Sequence, residues 1–167
     1  MKIFFSEKLK LLFFLLIFCL LFSSCSRGGA DIELLFSDFD AEISIRKNRE
    51  LFVASVSVDA LSEGCRNATL RFSAPECMSG LCVTLHKGTG ELSLNGTPLG
   101  EPPAEYLRIL ALLSPVGAFE RLCESGSDIC YSSGGARWYF DAESRLPRVI
   151  ESEDIKIEIL KIGQQQK

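Results

Sequence analysis

The chain has 167 residues, of which 47% are hydrophobic and 24% charged, and its formal net charge at pH 7 is −4. This is the composition of a globular chain, and the length suffices for one domain with a substantial core. The basic residues are not clustered, which argues against nucleic acid as a partner.

Residues 1–24 are predicted to be a signal peptide. Lys2, Lys8 and Lys10 precede an unbroken apolar run from Leu11 to Phe22, and small residues follow. The run is shorter than the about 20 apolar residues that a bilayer-spanning helix needs. A basic start followed by a short apolar segment is typical of exported proteins. A buried amphipathic helix would need a polar face, which this run lacks.

The stretch LFSSC at 21–25 resembles the lipobox of bacterial lipoproteins, in which an apolar residue and two small residues precede a lipid-modified cysteine. The resemblance implies cleavage after Ser24 and a diacylglycerol on the thiol of Cys25. Several acyl chains, palmitate among them, would hold the protein stably on the extracytoplasmic face of a bacterial cell membrane. Residues 25–30 then form a lipidated tether. The alternative is ordinary signal cleavage, with Cys25 as an incidental thiol.

After the tether, the spacing of apolar residues predicts a helical turn and then a meander of antiparallel strands. Ile32, Leu35, Phe36 and Phe39 recur at helical spacing over 31–39. The polarity then alternates with a period of two, which predicts one apolar and one polar face. The predicted strands of this part are 41–47, 51–58, 68–74, 81–87 and 91–96.

A helical insertion interrupts the meander. Pro103 suits a first helical turn, and apolar residues follow at helical spacing to Leu113. Pro115 ends this helix, and 116–123 is predicted to be a second short helical turn. We therefore expect an α+β fold, in which an antiparallel sheet of about eight or nine strands is covered by one or two short helices. Strands resume at 135–141, 147–152 and 155–162, and the polar tail 163–167 is predicted to fray.

Few residues fit a catalytic or metal site. The single histidine, His86, is predicted on the polar face of a strand. No serine lies in a G-x-S-x-G turn, and no Gly-rich loop precedes a helix as phosphate binding requires. No spacing of His, Cys, Asp or Glu suits a metal ion. We expect a protein that is not an enzyme and that uses no cofactor.

The cysteines leave several pairings open. Two of the seven lie in the signal peptide and the lipobox, and five remain, so at least one has no intramolecular partner. Cys77 and Cys82 stand at C-x4-C spacing around a turn and are a possible disulfide. Cys123 and Cys130 are the competing pair, and free thiols throughout are the alternative.

The apolar face of the sheet must be covered, and the predicted helix at 103–113 is the one long amphipathic cover in the sequence. Phe72, Leu85, Leu110 and Trp138 are predicted to lie together between sheet and helix, and they are the candidate lipid-binding residues. Either these side chains seal a dry core, or they line a cleft that holds an acyl chain.

Two stretches resemble the LolA/LolB-like lipoprotein-carrier superfamily and its GerS-like bacterial lipoproteins: APECMSGLCVTLHKGTGELSLNGTPLG at 74–100 and ARWYFDAESRLPRVIES at 136–152. In that superfamily a late strand carries an aromatic residue and Asp, and a turn with Pro leads into the next strand. The matching residues here are Trp138, Phe140, Asp141, Leu146, Pro147 and Val149.

The resemblance covers about 31–162 and implies a single domain with the form of an antiparallel half-barrel capped by helices. Its concave apolar face holds acyl chains in the carriers. We therefore expect a protein that acts by binding a lipid, an acyl chain or another lipoprotein in this face. The alternative is a structural or regulatory protein partner with a dry core and no ligand.

Overall fold

The structure is a computed structural model, and it describes residues 30, 32–60, 62 and 64–164. The predicted signal peptide, Cys25 with the tether up to residue 29, and residues 165–167 lie outside the described residues. Within the described part of the chain, no helix is long and apolar enough to cross a membrane.

The described residues form an α+β domain in which a large antiparallel sheet carries one α-helix. The strands are β1 (Phe39–Lys47), β2 (Glu50–Val58), β3 (Ala68–Ala74), β4 (Leu81–His86), β5 (Thr89–Leu94), β6 (Thr97–Gly100), β7 (Glu120–Ser125), β8 (Asp128–Ser133), β9 (Ala136–Asp141), β10 (Pro147–Glu151) and β11 (Ile155–Gln164). The helix is α1 (Ala104–Leu113), and two 3-10 helices span Glu33–Phe36 and Glu76–Met78.

The sheet is open, with the strand order β6-β5-β4-β3-β2-β1-β11-β10-β9-β8-β7. Every neighbouring pair is antiparallel. The first six strands step outward from the centre to one edge, and the last five start at the opposite edge and step back until β11 pairs with β1. The segment that contains α1 therefore has to cross from one edge of the sheet to the other.

One face of the sheet carries the core because side chains alternate across a strand. In β1, Ala41, Ile43 and Ile45 are buried and the residues between them are more exposed. The same alternation in β3 buries Leu70 and Phe72. Ile109, Leu110 and Leu113 of α1 join these side chains in one hydrophobic cluster, so the helix covers the apolar face.

Polar contacts fix α1 to the sheet on its exposed side. The ammonium group of Lys47 at the end of β1 pairs with the carboxylate of Glu105 in the first turn of the helix. Arg108 lies 2.7 Å from Asp154 and donates a hydrogen bond of 2.7 Å to Ser152 Oγ, both between β10 and β11. The helix is thus attached to both halves of the sheet.

The sheet has more strands than the sequence pattern predicts. β6 contains Pro98 and is exposed throughout, so its residues show no alternation. β8 is buried or half-buried on both faces, because Cys130 on one face and Ile129 and Tyr131 on the other are all covered. Neither strand has the apolar–polar period on which the prediction depends.

The prediction of a second helical turn at 116–123 is wrong. Glu120–Ser125 is strand β7, which pairs with β8 across a tight turn at Gly126 and Ser127. Pairing with a neighbouring strand, a tertiary effect, overrides the weak local preference of this segment.

Two further boundaries differ from the prediction. The N-terminal helical turn is a short 3-10 helix, Glu33–Phe36, and Phe39 already begins β1. At the other end, β11 continues through Gly163 to Gln164, because the last residues pair with Asp40 and Phe39 of β1.

Candidate functional site

A cavity with a volume of about 730 Å³ lies beside the C-terminal half of α1. Its lining is mostly apolar. The helix contributes Arg108, Ala111 and Leu112, and the segment after the helix contributes Pro115 and Val116. The cavity therefore lies against the crossing segment that joins the two edges of the sheet.

Turns from both halves of the sheet complete the lining. The β2–β3 loop and the β4–β5 turn belong to the first half, and the β8–β9 and β10–β11 turns belong to the second. Short connections between antiparallel strands project beyond the ladder, where they can surround a ligand. The lining residues of these segments are Cys65, Arg66, Leu85, Gly88, Ser133, Gly134, Gly135, Trp138, Ser152 and Glu153.

Arg66 is a buried cation at the wall of the cavity, with 4% of its surface exposed. Its Nε donates to the carbonyl of Asp59 at 2.8 Å, and its two terminal nitrogens donate to the carbonyls of Leu35 and Ser37, the latter at 2.9 Å. Its guanidinium carbon also lies 5.7 Å from the ring centre of Phe39. Arg66 therefore connects the N-terminal 3-10 helix to the β2–β3 loop.

Burial and nearby carboxylates shift the pKa of Arg66 in opposite directions. Burial lowers the pKa of the guanidinium, and the carboxylates of Asp38 and Asp59 oppose that shift. Arginine ordinarily titrates far above neutral pH, so Arg66 remains a cation.

Ser114 and Arg108, two further polar residues of the lining, are engaged within the protein. Ser114 Oγ donates to the carbonyl of Leu110 at 2.6 Å, and Arg108 is held by Ser152 and Asp154. Among the described residues, no buried side-chain nitrogen or oxygen lacks a hydrogen-bond partner. The cavity therefore offers apolar surface and few unsatisfied donors or acceptors.

An aromatic cluster stands behind the cavity. Phe119 packs edge-on against Trp138, with ring centres 5.3 Å apart, and its ring also contacts Phe36 and Tyr131. The hydroxyl of Tyr131 accepts a hydrogen bond of 3.3 Å from the backbone N–H of Ala30. The last residue of the predicted tether is thus attached to the same wall.

The four candidate lipid-binding residues all belong to the hydrophobic core or pack against it, but they divide between two places. Leu85 and Trp138 line the cavity. Leu110 is fully buried on the side of α1 that faces the sheet. Phe72 packs against Tyr106 with ring centres 5.3 Å apart. Neither Leu110 nor Phe72 is among the lining residues.

Several lining residues have no signal in the sequence. Arg66 stands in a loop beside Cys65, and nothing in its local pattern predicts its burial. Between Leu112 and Val116 lie Leu113, Ser114 and Pro115, and the last two are typical of a helix end. These residues become neighbours only when the crossing segment packs against the loops.

A second groove, of about 370 Å³, lies over β1, β2, β3 and β11. Its lining includes the charged residues Asp40, Glu42, Arg71 and Lys161 together with several hydroxyl groups. It is less suited to an apolar ligand than the cavity beside α1.

Among the histidine and the cysteines of the described residues, Cys65 alone lines the cavity. His86 is exposed at the end of β4 and is not part of the lining. Among the described residues, no group of three or more His, Cys, Asp or Glu is arranged to hold a metal ion.

All five described cysteines are free thiols. Cys77 lies in the 3-10 helix Glu76–Met78, and Cys82 lies in β4, opposite Arg71 of β3. Cys123 and Cys130 lie directly opposite each other in the β7–β8 pair.

No protein-family model matches the sequence, and no curated protein matches it. Solved structures with a similar chain path include MucB, which is 14% identical at a TM-score of 0.49. The match covers 81% of this chain, which spans only 57% of the MucB chain.

Two further structural neighbours are covered over most of their length. An uncharacterized conserved protein from Thermus thermophilus is 13% identical at a TM-score of 0.49, with 81% of this chain and 83% of that chain covered. A LolA superfamily protein from Nitrosomonas europaea is 8% identical at a TM-score of 0.45, with 84% and 96% covered. The superfamily that the sequence resembles is thus represented among the structural neighbours.

Proposed function

We propose that this protein is a lipid-anchored, extracytoplasmic binding protein whose cavity beside α1 holds the apolar chain of an amphiphile. The ligand would be a lipid, a free acyl chain or the acyl chain of another lipoprotein. The observation that carries this proposal is the mostly apolar cavity of about 730 Å³ between the helix and the turns of both sheet halves.

The size of the cavity suits a ligand of this class. Small-molecule sites have volumes of about 300–1,000 Å³ and are lined mainly by apolar side chains. Trp138, Leu85 and Leu112 provide such surface here. Burial of an acyl chain would gain about 0.8 kcal/mol per methylene group removed from water.

The two arginines of the lining already have partners within the protein, which also favours an apolar ligand. Arg66 donates to three backbone carbonyls, and Arg108 is tied to the β10–β11 turn. A polar headgroup would have to displace these contacts to be bound inside. We therefore place the headgroup outside the cavity, in solvent.

The anchor in this proposal is Cys25, at the end of the lipobox-like stretch LFSSC. A diacylglycerol with further acylation at this residue would hold the domain beside a bacterial membrane. The short segment from Cys25 to Ala30 would keep the cavity close to that membrane, which is where amphiphiles are found.

We propose binding without catalysis. General acid–base and nucleophilic catalysis need a base within hydrogen-bond reach of the reacting group. His86 is exposed and does not line the cavity, and the cysteine of the lining, Cys65, has no histidine beside it in the cavity wall.

The test is lipid analysis of the full-length protein purified from membranes in detergent. We expect mass spectrometry of the extract to find about one copurified amphiphile per protein. Gly117 lines the cavity, and the one atom within 4 Å of a Cβ there is Ser133 Oγ, at 3.9 Å, so the side chain added in Gly117→Leu occupies cavity space. This variant should lose most of the bound amphiphile.

The matched control is Gly163→Leu. Gly163 also has room for a Cβ and lines the second groove instead. This variant should retain the amphiphile. Wild-type protein that carries no amphiphile, and that does not bind a fluorescent fatty acid, would refute the proposal.

The alternative function, a protein partner docked at a sheet edge, is favoured by one observation. All four residues of edge strand β6 are exposed, and Leu99 is 56% exposed. An unpaired strand edge can accept a further strand from a partner. Cross-linking in cells that depends on Leu99 and is unaffected by Gly117→Leu would support this alternative.

A further inference from the structure

The β7–β8 hairpin places two cysteines opposite each other at the edge of the sheet. In the register of this antiparallel pair, Cys123 is the partner of Cys130, and Glu124 is the partner of Ile129. Cys123 is exposed, whereas Cys130 is 4% exposed. One thiol is thus open to an external reagent and the other is covered behind it.

The register brings the pair within the range of a disulfide. Directly opposite residues of an antiparallel pair have Cα atoms about 4.5–5.5 Å apart, and their side chains leave the sheet on the same side. Disulfides bridge Cα atoms about 4.4–6.8 Å apart. The register of Cys123 and Cys130, which follows a β-bulge between Arg121 and Cys123, is therefore compatible with a disulfide across the hairpin.

The other described cysteines lack such a partner in the ladder. Cys82 lies opposite Arg71 in β3 and opposite Ser93 in β5. Cys77 lies in a 3-10 helix, and Cys65 pairs with Ser62 in an isolated bridge. The Cys77–Cys82 bridge stays a prediction from the sequence, without support from strand register.

We propose that Cys123 and Cys130 are a redox-active pair that closes to a cross-strand disulfide when the protein meets an external disulfide. The thiolate of Cys123 attacks one sulfur of the oxidant, forms a mixed disulfide and releases one thiol. The thiolate of Cys130 then attacks the Cys123 sulfur and releases the second thiol. Two protein thiols are oxidised, and one oxidant disulfide is reduced to two thiols.

The surroundings of Cys130 make the second step sensitive to pH. Burial raises the pKa of the Cys130 thiol, and the neighbouring Cys123 thiol and the Glu151 carboxylate raise it further, whereas Arg137 lowers it. Tyr139, opposite Cys130 in β9, is itself shifted to a higher pKa by burial and contributes no charge at neutral pH. Closure of the mixed disulfide should therefore speed up as the pH rises.

The disulfide would stabilise β7, the edge strand of the half of the sheet formed by β7 to β11. Among the described strands, β7 is at the edge of the sheet and pairs only with β8. A covalent link in the middle of the hairpin restricts opening of β7. The opposite face of β8 carries Ile129 and Tyr131, so the stiffened hairpin is part of the wall that includes the aromatic cluster.

The test is oxidation of the full-length protein in detergent micelles by buffers of reduced and oxidised glutathione. Differential alkylation and peptide mass spectrometry measure the redox state of each cysteine. We expect the Cys123 and Cys130 peptides to be oxidised together with one midpoint potential and to appear as a linked pair. Closure of the mixed disulfide should accelerate with pH.

Cysteine variants distinguish a pair that reacts together from two thiols that are oxidised independently. In Cys130→Ser, Cys123 should stop at the mixed disulfide with glutathione, and in Cys123→Ser, Cys130 should remain reduced. The control Cys77→Ser should leave the pair unchanged. Amide exchange of β7 should slow by about tenfold in the oxidised wild type. Independent titration of the two thiols, or a Cys77–Cys82 link that forms first, would overturn the proposal.

Discussion

Arg66 shows how one residue can hold the region around the cavity together. Its guanidinium donates to the carbonyls of Leu35, Ser37 and Asp59, which belong to segments distant in sequence. The bond to Leu35 is buried and the other two are partly buried, and a buried carbonyl without a donor costs free energy. Its position in the cavity wall links the N-terminal segment to the candidate site.

We predict that Arg66→Met lowers the free energy of unfolding by about 3 kcal/mol or more, because the methionine keeps the packing of the stem but leaves three carbonyls without donors. The measurement is urea unfolding followed by circular dichroism. Arg108→Met is the control, since Arg108 and Asp154 form an exposed ion pair and such pairs contribute about 0–1 kcal/mol. Equal losses in both variants would contradict the role of Arg66.

We predict that Leu110→Ala lowers the free energy of unfolding by about 2–5 kcal/mol, because Leu110 is fully buried and its removal leaves a void under α1. The exposed Leu99→Ala variant should change it by less than about 0.5 kcal/mol. Chemical denaturation of both variants decides the matter. A small loss at Leu110 would mean that α1 does not seal the core.

At the scale of secondary structure, α1 is positioned by a close approach to β5. A Cβ at Gly90 of β5 would lie 2.7 Å from Leu107 Cδ2 and 2.8 Å from Pro102 Cγ. The leucine can rotate, but the buried proline ring cannot, so only glycine lets the start of the helical segment pack this closely. The crossing connection thus depends on a residue of the sheet it crosses.

We predict that Gly90→Ala destabilises the fold by about 1–3 kcal/mol, because the added methyl group pushes the helical segment away from β5. Gly163→Ala is the matched control, since no atom lies within 4 Å of a Cβ there. Thermal unfolding of the two variants gives the comparison. A neutral effect at Gly90 would show that the helix can shift without cost.

The β9–β10 turn is held by one carboxylate. Asp141 Oδ1 accepts hydrogen bonds from the backbone N–H and the hydroxyl of Ser144, at 2.7 and 2.9 Å, and from the N–H of Glu143 at 3.2 Å. These bonds, the backbone N–H of Ser144 first, lower the pKa of Asp141 below its ordinary value of 3.8. The turn follows β9, whose Trp138, Phe140 and Asp141 are part of the resemblance to the superfamily.

We predict that the contribution of Asp141 to stability is present above pH 3.8 and is lost as the pH falls through its lower folded-state pKa. The sign follows from the depressed pKa, since protonation is harder in the folded state. Carboxyl NMR titration measures the pKa directly. Ser144→Ala should raise it towards 3.8, and a wild-type value at or above 3.8 would refute the prediction.

At the scale of the whole molecule, the chain path builds the cavity. The first six strands lead to one edge and the last five start at the other, so the crossing segment with α1 is obligatory. The cavity forms where this segment meets turns of both sheet halves. Its shape therefore depends on the complete sheet rather than on one contiguous stretch.

We predict that Cys25→Ser prevents labelling by a fatty-acid probe and releases the protein from the membrane fraction, because the proposed anchor is attached to this thiol alone. Cell fractionation and metabolic labelling measure both effects. Cys65→Ser, in the described domain, is the control and should leave both unchanged. Labelling that persists without Cys25 would contradict the lipobox interpretation.

The sequence alone determined those strands and helices in which apolar and polar residues alternate regularly within one segment of the chain. Alternating residues such as Ile43 and Ile45 predict β1 correctly, and the helical spacing up to Leu113 predicts α1. These patterns are readable because each side chain's burial follows from its position along one strand or helix. The likeness to the LolA/LolB-like superfamily was likewise carried by short segments, 136–152 among them.

Only the tertiary structure decided the features that depend on pairing across the chain. β7 is a strand because β8 lies beside it, and the same pairing brings Cys123 opposite Cys130. The burial of Arg66 follows from backbone carbonyls contributed by distant segments. The contacts of Arg66 with Leu35 and Ser37 join residues far apart in sequence, so the local pattern around Arg66 carries no trace of these partners.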